Sequence, residues 1–226
     1  MNEKRVGVVA FSEFVATTFL LIAVVGSGIA AERLSAGNAA LALLVNAIVT
    51  GCALFPLILA FAPLSGAHMN PVVTVGAAFL RQVPWRLVPV IIVAQIAGGL
   101  IGVWLTHFMF DVPILQISSH VRTGPALWLA EIIATVGLLG TILRCDAYGV
   151  PLTAGAVAAY ITGAYWFTAS TSFANPAVTI ARAFTDSFAG IRPADAPGFI
   201  VAQCVGLALV LGAVKVLGFR LPFKTF

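Results

Sequence analysis

Apolar residues run through this chain in long blocks separated by short polar interruptions, and the lengths of those blocks define its elements. Six blocks, at 8–30, 38–60, 87–108, 126–143, 151–167 and 198–217, approach the ~20 residues that cross a hydrocarbon core of roughly 30 Å as an α-helix. Two further apolar stretches, starting at Asn70 and Asn175, are too short to span, and each opens on Asn-Pro. Asn is a favoured helix N-cap and Pro a favoured first helical residue, so each box marks a helix start. The pattern predicts an all-α membrane protein: six transmembrane helices plus two re-entrant half-helices, in one domain over residues 1–226.

Composition agrees. Hydrophobic residues make up 61% of the chain and charged residues 9%, against about 25% charged in soluble domains. A soluble enzyme or a nucleic-acid-binding module is excluded, and the twelve Lys and Arg are scattered rather than gathered into a phosphate-tracking patch. The net charge of +4 takes on meaning through topology. Six crossings return the chain to its starting side. Lys4, Arg5, Arg81, Arg86, Arg144, Lys215, Arg220 and Lys224 then share that side, against Arg33, Arg122, Arg182 and Arg192 opposite. The bias predicts both termini in the cytoplasm. The first block is longer than a signal-peptide core and has no clear cleavage signal, so it is expected to be retained. Cys52, Cys145 and Cys204 form no disulfide or metal spacing.

The chain also repeats itself. From Asn70, NPVVTVGAAF aligns without gaps on NPAVTIARAF from Asn175, with six of ten positions identical. Glu13-x-x-Ala16-Thr17 matches Glu131-x-x-Ala134-Thr135, and Ala94-Gln95-x-x-Gly98 matches Ala202-Gln203-x-x-Gly206. The repeats are expected at about 8–110 and 125–218. Three crossings per half oblige the second half to enter from the opposite face, giving an inverted repeat. Ten residues at 1.5 Å rise reach about half the bilayer, so two opposed half-helices meet near the midplane with their positive ends and Asn amides together. The backbone before each box, 63–69 and 168–174, must line an aqueous path or be buried in protein.

These paired boxes, with Glu13 and Glu131 in the first and fourth spans, resemble the aquaporin and aquaglyceroporin family, the major intrinsic proteins, over essentially the whole chain. The first box departs from the usual N-P-A, having Val72 in third place. The resemblance implies a passive channel for water and small uncharged solutes, without cofactor, metal or catalysis, in a homotetramer embedded in lipid at a plasma membrane, with Asn70 and Asn175 as midplane donors. It implies that Glu13, Glu131 and His68 anchor the re-entrant loops, and it places the outer selectivity filter on Thr50, Gly163, Ser172 and Val178. Family members usually have Arg at the last position; Val178 predicts a wider, less charged filter. In that respect the chain resembles bacterial aquaglyceroporins of arsenic-resistance operons, which implies glycerol-like polyols, metalloid hydroxides such as arsenite, or methylated arsenicals as cargo.

Competing readings concern the same residues. An ion- or proton-coupled secondary transporter shares inverted repeats and broken helices, but it would need ionisable groups at the site beyond Glu13 and Glu131. No hydrolase motif is present. Arg182, four residues after Val178, either replaces the missing charge from one turn away or pairs with Asp186 in a solvated cluster, and the second is expected. Cys52 and Cys204 are expected to be small buried hydrophobes, and Gly98 and Gly102 a close-packing pair.

Overall fold

The computed structural model describes residues 3–217, and no strand occurs among them. Six long helices are present: α1 (Glu3–Leu34), α2 (Ala39–Ser65), α4 (Val88–Met109), α5 (Pro125–Cys145), α6 (Val150–Phe167) and α8 (Ala196–Leu217). Two short ones follow the Asn-Pro boxes, α3 (Pro71–Phe79) and α7 (Pro176–Arg182). By length and composition, all the long helices except α6 are apolar enough to cross a membrane. At 18 residues, α6 is the shortest of the six and still spans about 27 Å. Arg220 and Lys224, counted above on the terminal side, lie outside the described residues, as does residue 218 of the second repeat.

Helix α2 runs five residues further than its apolar block and carries Pro56 and Pro63 inside it. Residues 63–65, expected in the non-helical approach to the first box, are therefore helical. The helix ends at Gly66, whose φ of 91° is left-handed, a conformation that glycine adopts without penalty.

Packing follows the repeat. Helix α1 packs on α2 and α4, as α5 packs on α6 and α8; α4 rests on α7, as α8 rests on α3. The last two contacts join the halves, as do those of α2 with α6 and of α3 with α7. Gly98 and Gly102 bring α4 onto α1: a Cβ at either position would collide with the backbone carbonyl of Phe14 or Thr18. The close-packing role read from their spacing is what the structure contains.

Candidate functional site

The two half-helices start alike. Asn70 Oδ1 accepts from Val72 N at 3.0 Å, and Asn175 Oδ1 accepts from Ala177 N at 3.0 Å and Val178 N at 3.2 Å. These caps fix which end of each amide is oxygen. The nitrogen ends then cross between the halves: Asn70 Nδ2 donates to Ala174 O at 2.8 Å, and Asn175 Nδ2 donates to Met69 O at 2.7 Å. An amide nitrogen has two hydrogens, so each Asn keeps one N–H for the cavity that both line. Val72, in the variant third place of the first box, is buried in a cluster with Leu139, Leu207 and Val210.

Unusual backbone leads into both boxes. Ala67 and Met69 in the first loop, and Ser172 and Ala174 at the matching places in the second, have φ between 47° and 51°. Each such non-glycine residue costs about 1–2 kcal/mol. The two buried carboxylates supply the compensation. Glu13 accepts from His68 N at 2.9 Å and Met69 N at 2.7 Å; Glu131 accepts from Phe173 N at 2.9 Å and Ala174 N at 2.8 Å. Hydrogen bonds to a charged acceptor contribute about 1.5–3 kcal/mol each, comparable with the strain of the two such residues in the first loop and of three in the second, where Thr171 also has a φ of 60°.

A second layer of donors completes each anchor. Gln95 Nε2 donates to Glu13 at 2.7 Å and Thr74 Oγ1 at 3.0 Å, while Gln203 Nε2 donates to Glu131 at 2.6 Å and Thr179 Oγ1 at 3.0 Å. Even the shortfalls match, since Gln95 Oε1 and Gln203 Oε1 are both buried without a partner. Both carboxylates are saturated by structural donors and do not line the cavity, which leaves neither free to relay protons. His68 is half-buried at the cavity wall, with Nδ1 3.1 Å from Thr74 Oγ1. The glutamines and threonines were visible in the sequence only as repeat identities without a role.

A cavity of about 480 Å³ runs from Gln82 and Asp146 past Asn70 and Asn175 to Val178 and Arg182. Its walls are mostly apolar stripes, such as Thr50, Leu54, Ile58 and Ala62 on α2 and Val157, Ile161 and Tyr165 on α6, each at the four-residue spacing of one helix face. Of the expected filter set, the structure brings Thr50, Ser172 and Val178 to this cavity. Gly163 is not among the lining residues and faces Phe167 instead. Two residues from Tyr165, it points away from the face that Tyr165 occupies. Tyr165 is the residue sequence reasoning missed; its hydroxyl lies 3.2 Å from Thr50 Oγ1.

Arg182 also departs from expectation. It is 2% exposed and lines the cavity, whereas Asp186 is exposed and accepts from Ser119 N and Oγ at 2.8 and 2.9 Å. The solvated Arg182–Asp186 pair does not form, because α7 ends at Arg182 and helical spacing no longer relates the two. The end of the cavity that Val178 borders therefore also has a cation in its wall. Cys52 and Cys204 are exposed on the outside of the bundle rather than buried, and neither lines the cavity.

Opposed half-helices in an inverted repeat, crossed at their Asn caps beside an interior cavity, have the architecture of a membrane channel. Residues 4–166 match the model of the major intrinsic protein family, and the chain belongs to that family, whose members are multi-pass membrane channels rather than enzymes. Over 204 residues it is 48% identical to the aquaglyceroporin AqpS of Rhizobium meliloti (strain 1021), covering 90% of this chain and 87% of that one. It is 31% identical over 196 residues to the aquaporin NIP2-3 of Zea mays, covering 83% and 64%. The crystal structure of the aquaglyceroporin from Plasmodium falciparum has the same fold, with a TM-score of 0.74 over 93% of this chain and 96% of that one, at 22% identity.

Proposed function

We propose that this chain is a passive channel for water and small uncharged solutes, glycerol-like polyols and neutral metalloid hydroxides such as arsenite among them, with methylated arsenicals as further cargo. The observation that carries this is the pair of crossed asparagines. Each amide is locked by the opposite loop with one N–H left for the cavity, so a solute acceptor meets two fixed donors at the waist while the positive helix ends repel cations. The apolar walls of the rest of the cavity suit the carbon side of a polyol. Thr50, Ser172 and Val178 form the outer filter, with Tyr165 opposite Thr50 where Gly163 was expected. Val178 has a shorter and uncharged side chain where arginine is usual, which supports the larger cargo. The name of the Rhizobium relative supports the polyol class, and the metalloid class rests on the resemblance through Val178.

The anchoring role of Glu13, Glu131 and His68 belongs to the same proposal. So do a single channel domain of two repeats, homotetrameric assembly in lipid, and a bacterial inner-membrane location with cytoplasmic termini.

Stopped-flow light scattering on liposomes carrying the purified protein tests it. The wild type is expected to pass water, glycerol and arsenite, and Val178→Arg to lose the larger two selectively. Passage of water alone, or accumulation of solute against its gradient when a proton gradient is imposed, would overturn it.

A further inference from the structure

Arg182 is a cation buried among carbonyls and an aromatic ring. No salt bridge joins Arg182 to a carboxylate among the described residues, and Glu131 acts on it only from beyond ion-pair distance. Its Nε donates to Ala189 O, and its guanidinium carbon lies 3.5 Å from the centroid of the Phe173 ring. Only its Nε has an acceptor among the described residues, on a residue that lines the cavity. An uncompensated buried charge is costly and needs a specific reason to be retained.

The placement supplies that reason. A helical side chain leans toward the N-terminus of its helix and covers the turn before its own Cα. From the last residue of α7, Arg182 reaches back over the turn that carries Val178 to the loop before Asn175, as its stacking on Phe173 records. Ser172, beside Phe173, has its Oγ buried without a partner at the same cavity wall.

The surroundings brace the guanidinium. Arg122 stacks on the same Phe173 ring at 5.3 Å. It holds Gly190 O with Nε at 2.7 Å and Phe188 O with Nη2 at 3.2 Å, on either side of the carbonyl that Arg182 uses.

We infer that Arg182 is a specificity-determining residue of this pore: its guanidinium, delivered from one helical turn outward, gives the outer cavity a positive barrier to cations and donors for neutral solutes although Val178 carries no charge. This rests on the channel reading above and adds to it the exclusion of cations of otherwise permeant size.

The test uses two planar solutes of nearly equal size, urea and guanidinium, in liposomes carrying the full chain. The wild type is expected to pass urea and exclude guanidinium by on the order of a hundredfold, and Arg182→Leu to pass both. Arg182→Lys should keep the discrimination, and Val178→Arg with Arg182→Leu should restore it. Equal passage of both solutes by the wild type overturns the inference while leaving the channel reading intact, and needs no variant to fold. Passage of neither removes the channel reading and this inference with it. A folded Arg182→Leu protein with wild-type discrimination shows a structural arginine only and also overturns it.

Discussion

Asn175 Nδ2 donates to the carbonyl oxygen of Met69 at 2.7 Å, so the amide heading one half-helix is held by the loop that leads into the other. Asn175→Asp keeps the N-cap acceptor but sets a carboxylate oxygen against that carbonyl. Losing the bond while leaving buried groups unpaired costs about 1–3 kcal/mol. The variant should melt several degrees lower in detergent, and a Tm equal to wild type would show that the crossing bond is not made.

Glu13 and Glu131 accept the same set of bonds from matching places in the two halves. Replacing either by Gln removes the charge and turns an amide N–H toward backbone donors, with an expected loss of about 1.5–3 kcal/mol for each bond broken. Differential scanning fluorimetry should give Tm shifts of similar size for Glu13→Gln and Glu131→Gln. A large shift in one and none in the other would contradict the equivalence of the anchors.

Gly98→Leu places side-chain atoms where the Phe14 carbonyl already lies, which should separate α4 from α1 and prevent accumulation of folded protein. Gly140, on α5, has nothing within 4 Å of an added Cβ. Gly140→Leu should therefore fold normally, with about 1 kcal/mol gained from helix propensity. Size-exclusion profiles of the two variants distinguish a packing effect from general intolerance of bulk.

The exterior loops respond to acid. Hydrogen bonds from the Ser119 amide and hydroxyl hold the Asp186 carboxyl below its ordinary range. Burial alone would raise Asp195, but bonds from Arg192 and the Arg122 amide outweigh it and hold that carboxyl down as well. A carboxyl depressed in the folded state contributes stability above its unfolded pKa of about 4, and that contribution is lost as pH falls through the folded value. Amide exchange at Ser119 and Arg122, corrected for intrinsic rates, should therefore accelerate below about pH 4. Unchanged protection in acid would count against both contacts.

What the sequence made legible were the features with short-range causes. Asn-Pro specifies a helix start within two residues, so α3 and α7 stand where the boxes placed them. Glu13 and Glu131 were marked by the repeat and by the resemblance it supports. Gly163 failed as a cavity residue because helix phase is set by packing: α6 turns Ile161 and Tyr165 inward, and a count from the second box through an irregular loop carries no information about that rotation. The pairing expected of Arg182 with Asp186 assumed a helix that continued past Arg182. Cys52 and Cys204 were expected inside because small apolar residues avoid water, but lipid removes that pressure.

The crossed bonds bear on how such a chain could have arisen. Each half has an amide whose acceptor lies in the other, and a strained loop whose carbonyl only the other half's asparagine reaches. A half-length ancestor standing alone would leave both unmet in a medium without water, and a copy inserted the same way up would present them on the wrong side. Its complement would be a second copy of itself inserted upside down. Fusion of the two would then free each half to change separately, and the third letters of the two boxes, valine in one and alanine in the other, do differ.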